Sequence, residues 1–560
     1  MGIIDLEGKR LERLGPAELA GQLMRLPARK RLETILQRAD AEAVVKAMAV
    51  QDFYFSVQEL GPDDALALLS LAGVDQLTYL FDLEWWQKDR TNPARAIEWL
   101  ERLATASEDK LLAWLYEVDF ELLVTMFKQW IDVGVAPEET DPMEAVEYLP
   151  KNTLDDLYYW EARYPQHEEF LKSLLSVLFE VNPSFYRELL HHVMYWLDAE
   201  AEESAYRFHR GRLEDHAIPD FYDAMEIYRA IRPEDVIAGK RVQDVREEEA
   251  PSPAFAVSLV PEKDLLGRAL GGIQDAAMLD MIQLELASLA NKVVVADEVA
   301  ADNPAGLRDA VDKVAAYVNL GLDLKSAGSV DEAVGIVSGV YLEQLFRLGH
   351  AQVARLRARM KQVLQRGWLA QWPTGLGVLE SEWMDEAEAL LRKTPRMLRA
   401  ATADGPRRED FFRDRRDLFQ GKNFIDTVIS LGMLVNGLGA TPGSLDLELW
   451  PDGQIHGAED VTAGAMIWTA AARSVTDGKW EVVPIPVEDW EAVFPLLQEN
   501  PLEDRIRSWV EKTVSQATQR NLLWAYLEPL CKAWAEDSKL REEGGAPDPR
   551  FVRLLLFTSR

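Results

Sequence analysis

Cysteine is nearly absent from this 560-residue chain, with Cys531 its single example. One thiol excludes an internal disulfide and a thiolate metal cage. With Leu530 before it and Lys532-Ala533-Trp534 after it on a helical pattern, Cys531 reads as a small apolar packing residue. Positive charge is scarce as well. Lys and Arg number 61 against 95 Asp and Glu, a formal net charge of −34. A field of that sign repels phosphate backbones and anionic headgroups, so neither nucleic acid nor a bare membrane is an expected partner. It favours cations and basic protein surfaces. Long apolar runs are also missing: the most apolar window, residues 424–440, holds Asp426, Asn436 and three glycines and is short for a membrane span. The opening MGIIDLEGKRLERLG alternates charges where a secretory signal needs an apolar stretch, and Gly2 is not followed by the Ser or Thr of a myristoylation signal. These absences together point to a reducing cytoplasm and no membrane insertion.

Known catalytic signatures are missing too. There is no Gly-x-x-x-x-Gly-Lys-Ser/Thr phosphate loop, no Gly-x-Ser-x-Gly elbow and no His-Glu-x-x-His zinc helix. Leu270-Gly271-Gly272 precedes a helical pattern but lacks the strand that a dinucleotide site needs before it. The expectation is a binding role rather than a familiar enzyme.

What is present is an ordinary globular composition, 48% hydrophobic and 28% charged, in a chain long enough for roughly three to four domains of common size. The N-terminal region carries a spacing. Leu14-Gly15-Pro16-Ala17-Glu18-Leu19 recurs in outline as Leu60-Gly61-Pro62-Asp63-Asp64-Ala65, with further helix-start signals at Pro27, Asp40 and Asp52. Apolar residues between them keep a helical period: Leu19, Leu23 and Leu26, then Leu32, Ile35 and Leu36, then Val44, Ala47 and Met48. Such closely set signals leave room for helices of two to three turns, paired as hairpins of about 23 residues. A hairpin of that size cannot bury its own apolar face, which predicts a superhelix of short stacked hairpins.

The runs Pro16–Ala20, Leu26–Leu32 and Pro62–Leu69 resemble the N-terminal superhelical domain of MgtE magnesium transporters, and more loosely the helical repeats of the flagellar switch protein FliG. The resemblance covers residues 11–82. It implies a similar fold and a candidate magnesium contact at Asp63 and Asp64, whose local reading is favourable charge at a helix N-terminus. Nothing in the chain looks like the transporter's regulatory modules or its membrane channel.

From Glu84 to Ile131 the texture becomes tryptophan-rich, with Trp85-Trp86, Trp99, Trp114 and Trp130 among leucines at helical spacing. This reads as core, with Trp85-Trp86 a candidate ligand-stacking pair. Gly134–Asp141 reads as a linker, Pro183–Phe208 as one long helix, and Phe255–Val260 as a short strand after a Glu- and Pro-rich connection. Three long helical stretches follow, and Leu445–Trp450, Trp480–Pro486 and Phe551–Phe557 read as strands around a helical run at 500–536. The predicted class is mainly α, with a small β element near the C-terminus. The expected division is 11–133 as the superhelix with its Trp-rich extension, 142–240 as a helical domain, 264–421 as another, and 422–560 as an α+β region. The stretch Glu202–Leu213, followed by Ile218-Pro219-Asp220-Phe221, also resembles an uncharacterised family of large, acidic bacterial proteins, a domain of unknown function, which implies no activity.

Five of the seven histidines fall between residues 167 and 216: His167, His191, His192, His209 and His216. Glu188-x-x-His191 places a carboxylate and an imidazole on one helical face, as di-iron bundles require, but no second Glu-x-x-His occurs. Glu188, His191 and His192 are therefore the candidate ligands of a single divalent metal, with Glu168, Glu169 and Asp198 as further oxygen donors. Three functions are carried forward: an interaction or regulatory module with a protein partner, a metal-dependent enzyme or metal sensor, and a magnesium-responsive regulator.

Overall fold

The structure, a computed structural model, describes residues 11, 13–87, 90–135, 148–237, 251–300, 302–399, 407–441, 448–539 and 545–559. Most of the linker expected at 134–141, the connection at 241–250 and strand positions 445–447 lie outside the described residues. The chain divides into two compact units, Met1–Arg229 with Glu234–Arg347, and Ala230–Pro233 with Leu348–Arg560.

In the first unit the N-terminal helices are short, as the spacing predicts: Pro16–Leu23, Ala28–Leu36, Ala41–Lys46, Val50–Leu60, Leu66–Leu69 and Val74–Trp85. Pro16 opens the first at a position where a missing N–H costs nothing. Gly61, at φ +89°, ends Val50–Leu60 in a conformation that side chains resist. Leu19, Leu23, Ile35, Val44, Phe53, Val57 and Leu77 are all fully buried, so each helix hides its apolar face on neighbours rather than within one hairpin. Arg31 is buried among them and stitches the layers together. It donates to the Leu23 and Leu26 carbonyls at 3.2 and 3.1 Å, to Ser56 Oγ at 2.6 Å and to Glu59 at 3.1 Å.

Trp85, Trp99, Trp114 and Trp130 are buried in the helices Val74–Trp85, Pro93–Ala106, Glu108–Glu117 and Phe120–Trp130. Phe81 stacks on Trp85 at 4.4 Å, and Trp114 meets both rings edge-on. Each such indole removes roughly 200 Å² from water, worth about 5 kcal/mol by area, which makes this stripe a core. Gly134 and Val135 belong to a strand, Ile131–Val135, rather than to a linker. It pairs antiparallel with Tyr158–Ala162, which also pairs with Asn152–Thr153.

The long helix expected at Pro183–Phe208 is two helices, Pro183–Tyr195 and Asp198–Asp215, separated by extended backbone at Trp196 and Leu197. Both pack on Phe120–Trp130, which a single straight rod of that length does not do. Phe255–Ser258 is a short helix, not a strand. Asp52, 202 residues away, accepts the Ala254 and Phe255 N–H groups at 2.7–2.9 Å and supplies the cap that the local sequence lacks. The longer helices Ala276–Ala296, Pro304–Ser326 and Val330–Gly339 follow. Gly321 lets Pro304–Ser326 lie directly on its neighbour, since a Cβ there would stand 2.0 Å from the Leu345 carbonyl oxygen.

In the second unit, Arg415–Gly437 packs against Ala463–Thr476 and Ala517–Asp537. The helical run expected at 500–536 is again two helices, Leu502–Thr513 and Ala517–Asp537. Of the C-terminal strands expected, the described pairing is confined to Ile485-Pro486 alongside Phe557-Thr558, in parallel. Residues 549–551 form a 3₁₀ turn instead. No helix among the described residues is long and apolar enough to cross a membrane.

Candidate functional site

The first unit holds a partly open cavity of about 1080 Å³. Its walls come from the helices Val50–Leu60, Val74–Trp85, Asp198–Asp215 and Ala276–Ala296, and from the loop after Asp198–Asp215. The same short, closely packed N-terminal helices thus supply one side of it.

Glu84, 4% exposed, anchors that side. Its Oε1 accepts from Gln58 Nε2 at 2.6 Å and from the Tyr54 hydroxyl at 3.4 Å. Its Oε2 accepts from Trp99 Nε1 at 3.1 Å and from Arg95, through Nε at 3.0 Å and through Nη2. Both oxygens are filled by donors from two helices, Val50–Leu60 and Pro93–Ala106. Asp82, two residues back on the same helix, is equally buried and takes Arg212 in a two-pronged pair, both contacts at 2.7 Å. Arg212 also reaches Asp119. Burial pushes the Asp82 carboxyl up to about 6, with the Arg212 guanidinium opposing it.

His209 lies against this pair and is 3% exposed. Its Nε2 is 3.0 Å from the Asp82 backbone carbonyl. A carbonyl only accepts, so Nε2 carries the proton and Nδ1 holds a lone pair. No donor among the described residues reaches that Nδ1, a deficit that typically costs about 1–3 kcal/mol. Burial, helped by the cations of Arg212 and Arg210, lowers the imidazole to about 4, so it is neutral at pH 7. The ring stacks on Trp86 at 4.3 Å and 13°. Trp86 Nε1 is likewise buried without an acceptor among the described residues. Tyr206 closes the aromatic group, 5.9 Å from Trp86. Away from this wall, Glu298 stands exposed at φ +55°, just past the end of Ala276–Ala296.

The residues singled out by sequence stand elsewhere. Glu188 and His191 are exposed on Pro183–Tyr195. His191 Nδ1 lies 3.2 Å from the Tyr158 hydroxyl, and His192 Nδ1 lies 2.8 Å from the Glu188 backbone oxygen. His167 pairs with Glu101 at 2.7 Å, Asp198 with Lys128 at 2.7 Å, and Glu168 accepts from Asn152 at 3.2 Å. His216 meets the Tyr79 ring at 4.9 Å, so the five histidines face different neighbours. Asp63 and Asp64 are both exposed and engaged separately, by Arg102 at 3.0 Å and Arg29 at 3.7 Å. Among the described residues no three His, Cys, Asp or Glu side chains come together as a metal would need.

Of the Trp85-Trp86 pair, Trp85 is core and Trp86 faces the cavity. Sequence reasoning passed over Asp82, Glu84, Arg95 and Arg212, and counted His209 only as one of a group. The available signal was the segment Tyr206–Tyr222, where aromatic, basic and acidic residues mix without a helical stripe. Nine of its positions line the cavity, Tyr206, His209, Arg210, Leu213, Ile218, Asp220 and Tyr222 among them. This is the same stretch whose residues resemble an uncharacterised family. No curated protein and no solved structure matches the chain. The model of a family of unknown function (DUF6178) matches residues 8–558, nearly the full length, and the chain belongs to that family.

Proposed function

We propose that this protein is a ligand-responsive interaction module: the cavity of its first unit takes a small organic molecule, and its acidic helical surface meets a protein partner in the cytoplasm. The observation that carries the reading is the buried wall of His209 and Trp86, an acceptor and a donor without protein partners on the same side of a cavity large enough for a drug-sized ligand. The net charge of −34 supports a partner with a basic face. Exposed Tyr195, Leu197 and Tyr222 supply apolar contact area of the kind interfaces use.

Tryptophan fluorescence reports the cavity directly, because Trp86 stacks on His209. A metabolite-sized library is screened against the purified full-length protein by thermal shift, and hits are confirmed by fluorescence titration. Ligands that raise the melting temperature and change the emission of the parent, but not of Trp86→Phe, are the expected result. A library-wide absence of hits, or hits indifferent to Trp86→Phe, overturns the reading.

A further inference from the structure

The walls of the cavity select the charge of what enters. Five carboxylates line it, those of Asp82, Glu84, Asp220, Glu298 and Asp302, against the two guanidiniums of Arg95 and Arg210. Both guanidiniums are already committed. Arg95 is held by Glu84 and by Asp302 at 3.1 Å, and Arg210 by Glu214 at 3.1 Å and Asp220 at 3.8 Å. Glu298 makes no ion pair among the described residues. An anion entering here meets no uncommitted cation, and it also meets the field of a strongly acidic chain.

The uncharged walls point the same way. Trp86, Tyr206, Tyr54 and Tyr79 line the cavity, and aromatic faces carry the negative end of a quadrupole that attracts cations, most strongly at tryptophan. The neutral His209 adds a buried lone pair at Nδ1, and the proton on Nε2 fixes that nitrogen as an acceptor. Its natural complement is an N–H donor. A fully methylated quaternary ammonium satisfies the aromatic faces but leaves this acceptor empty, whereas a primary or secondary ammonium satisfies both.

We infer that the cavity binds an organic ammonium ion: a primary or secondary amine, protonated, carried on an apolar, ring-sized body. Its charge meets the His209 lone pair and the aromatic walls, in the field of the Glu298 carboxylate, and its ring fills the rest of the volume. The inference rests on the ligand-binding reading above and deepens it.

Three probes that share a phenyl ring on a two-carbon tether test it on the full-length protein by calorimetry and tryptophan fluorescence: 2-phenylethylammonium, 2-phenylethanol and 3-phenylpropanoate. The ammonium is expected to bind about tenfold tighter than either analogue, with the difference shrinking as salt is added. Glu298→Gln, an exposed position where folding is not at stake, is expected to weaken the ammonium roughly threefold and leave the alcohol unchanged. Trp86→Phe keeps a ring but is expected to weaken all binding at the site. Tighter binding of the alcohol or the carboxylate overturns the charge assignment while leaving a ligand site in place. Binding of none of the three, when the broader library does give hits, also overturns it, and absence of hits in both experiments removes the ligand reading itself.

Discussion

Two successive helices of the first unit carry histidines with opposite surroundings. On Pro183–Tyr195, His191 and His192 face outward and find partners close by in the chain or on the edge of the small sheet: the Glu188 carbonyl four residues back and the Tyr158 hydroxyl. On Asp198–Asp215, His209 is buried and bonds to the Asp82 carbonyl, 127 residues away. The first helix has the spacing that suggests a metal, and the second has none that suggests anything. What separates them is the two-residue break at Trp196-Leu197, which lets the second helix turn and lay one face on Val74–Trp85 as well as on Phe120–Trp130. Spacing along one helix sees only partners within a turn or two. The chemistry of a buried site is set by tertiary neighbours, which that spacing does not contain.

The largest effect expected from breaking this contrast is on the buried side. Arg212→Ala strands Asp82 without its cation, and loss of one member of a buried pair costs about 3–5 kcal/mol. Chemical denaturation is expected to show a lowered midpoint of that order. A change below about 1 kcal/mol would mean that the pair behaves like a surface one and that the contrast is overdrawn.

The second effect is in the pH dependence. His209 is lowered to about 4 while the unfolded imidazole titrates near its ordinary value, so between those limits the unfolded chain takes up a proton that the native one refuses. Its contribution is present above about 6.5 and lost as pH falls toward 4, up to about 3 kcal/mol. Asp82, raised to about 6, acts in the opposite sense, because the native chain keeps a proton that the unfolded one has released. Its contribution is lost as pH rises from about 4 to 6. The two nearly cancel in the parent. His209→Gln removes one of them, so its stability is expected to fall with rising pH across this window relative to the parent, as read by denaturation at several pH values.

The smallest effect is expected on the outer helix. His191→Ala breaks a half-exposed contact with Tyr158, and a change within about 1 kcal/mol is expected in the same assay. Zinc titration sharpens the comparison further. If zinc raises the melting temperature of the parent but not of His191→Ala, the exposed helix holds a site of its own and the roles of the two helices must be revised.

The contrast also explains which parts of the molecule were legible in its sequence. The short helices from Pro16 to Trp85 could be read because proline, glycine and apolar period act within one turn, and the tryptophan stripe could be read because large rings at helical spacing have few places to go but inward. The helix at Phe255–Ser258 could not be read, since its cap is the distant Asp52. The break at Trp196-Leu197 carries no proline or glycine and follows from packing alone. The cavity draws residues from Gln51 to Val311, and of these only Trp86 and His209 belong to a sequence feature with a chemical reading, while Tyr206–Leu213 and Ile218–Phe221 carry only a family resemblance. Trp86 was paired with a neighbour that turned out to be core, and His209 was grouped with histidines that face elsewhere.

Glu84 has one more consequence. With every lone-pair direction of its carboxylate taken by Gln58, Tyr54, Arg95 and Trp99, it has nothing left to offer a guest, although it sits at the chamber's edge. It serves as a fixed post to which its neighbouring helices are tied, and selectivity is left to less tightly bound side chains, Trp86 and Tyr206 on the same wall and Glu298 away from it. A chamber built that way can be retuned to new guests at those side chains without loosening the frame behind them.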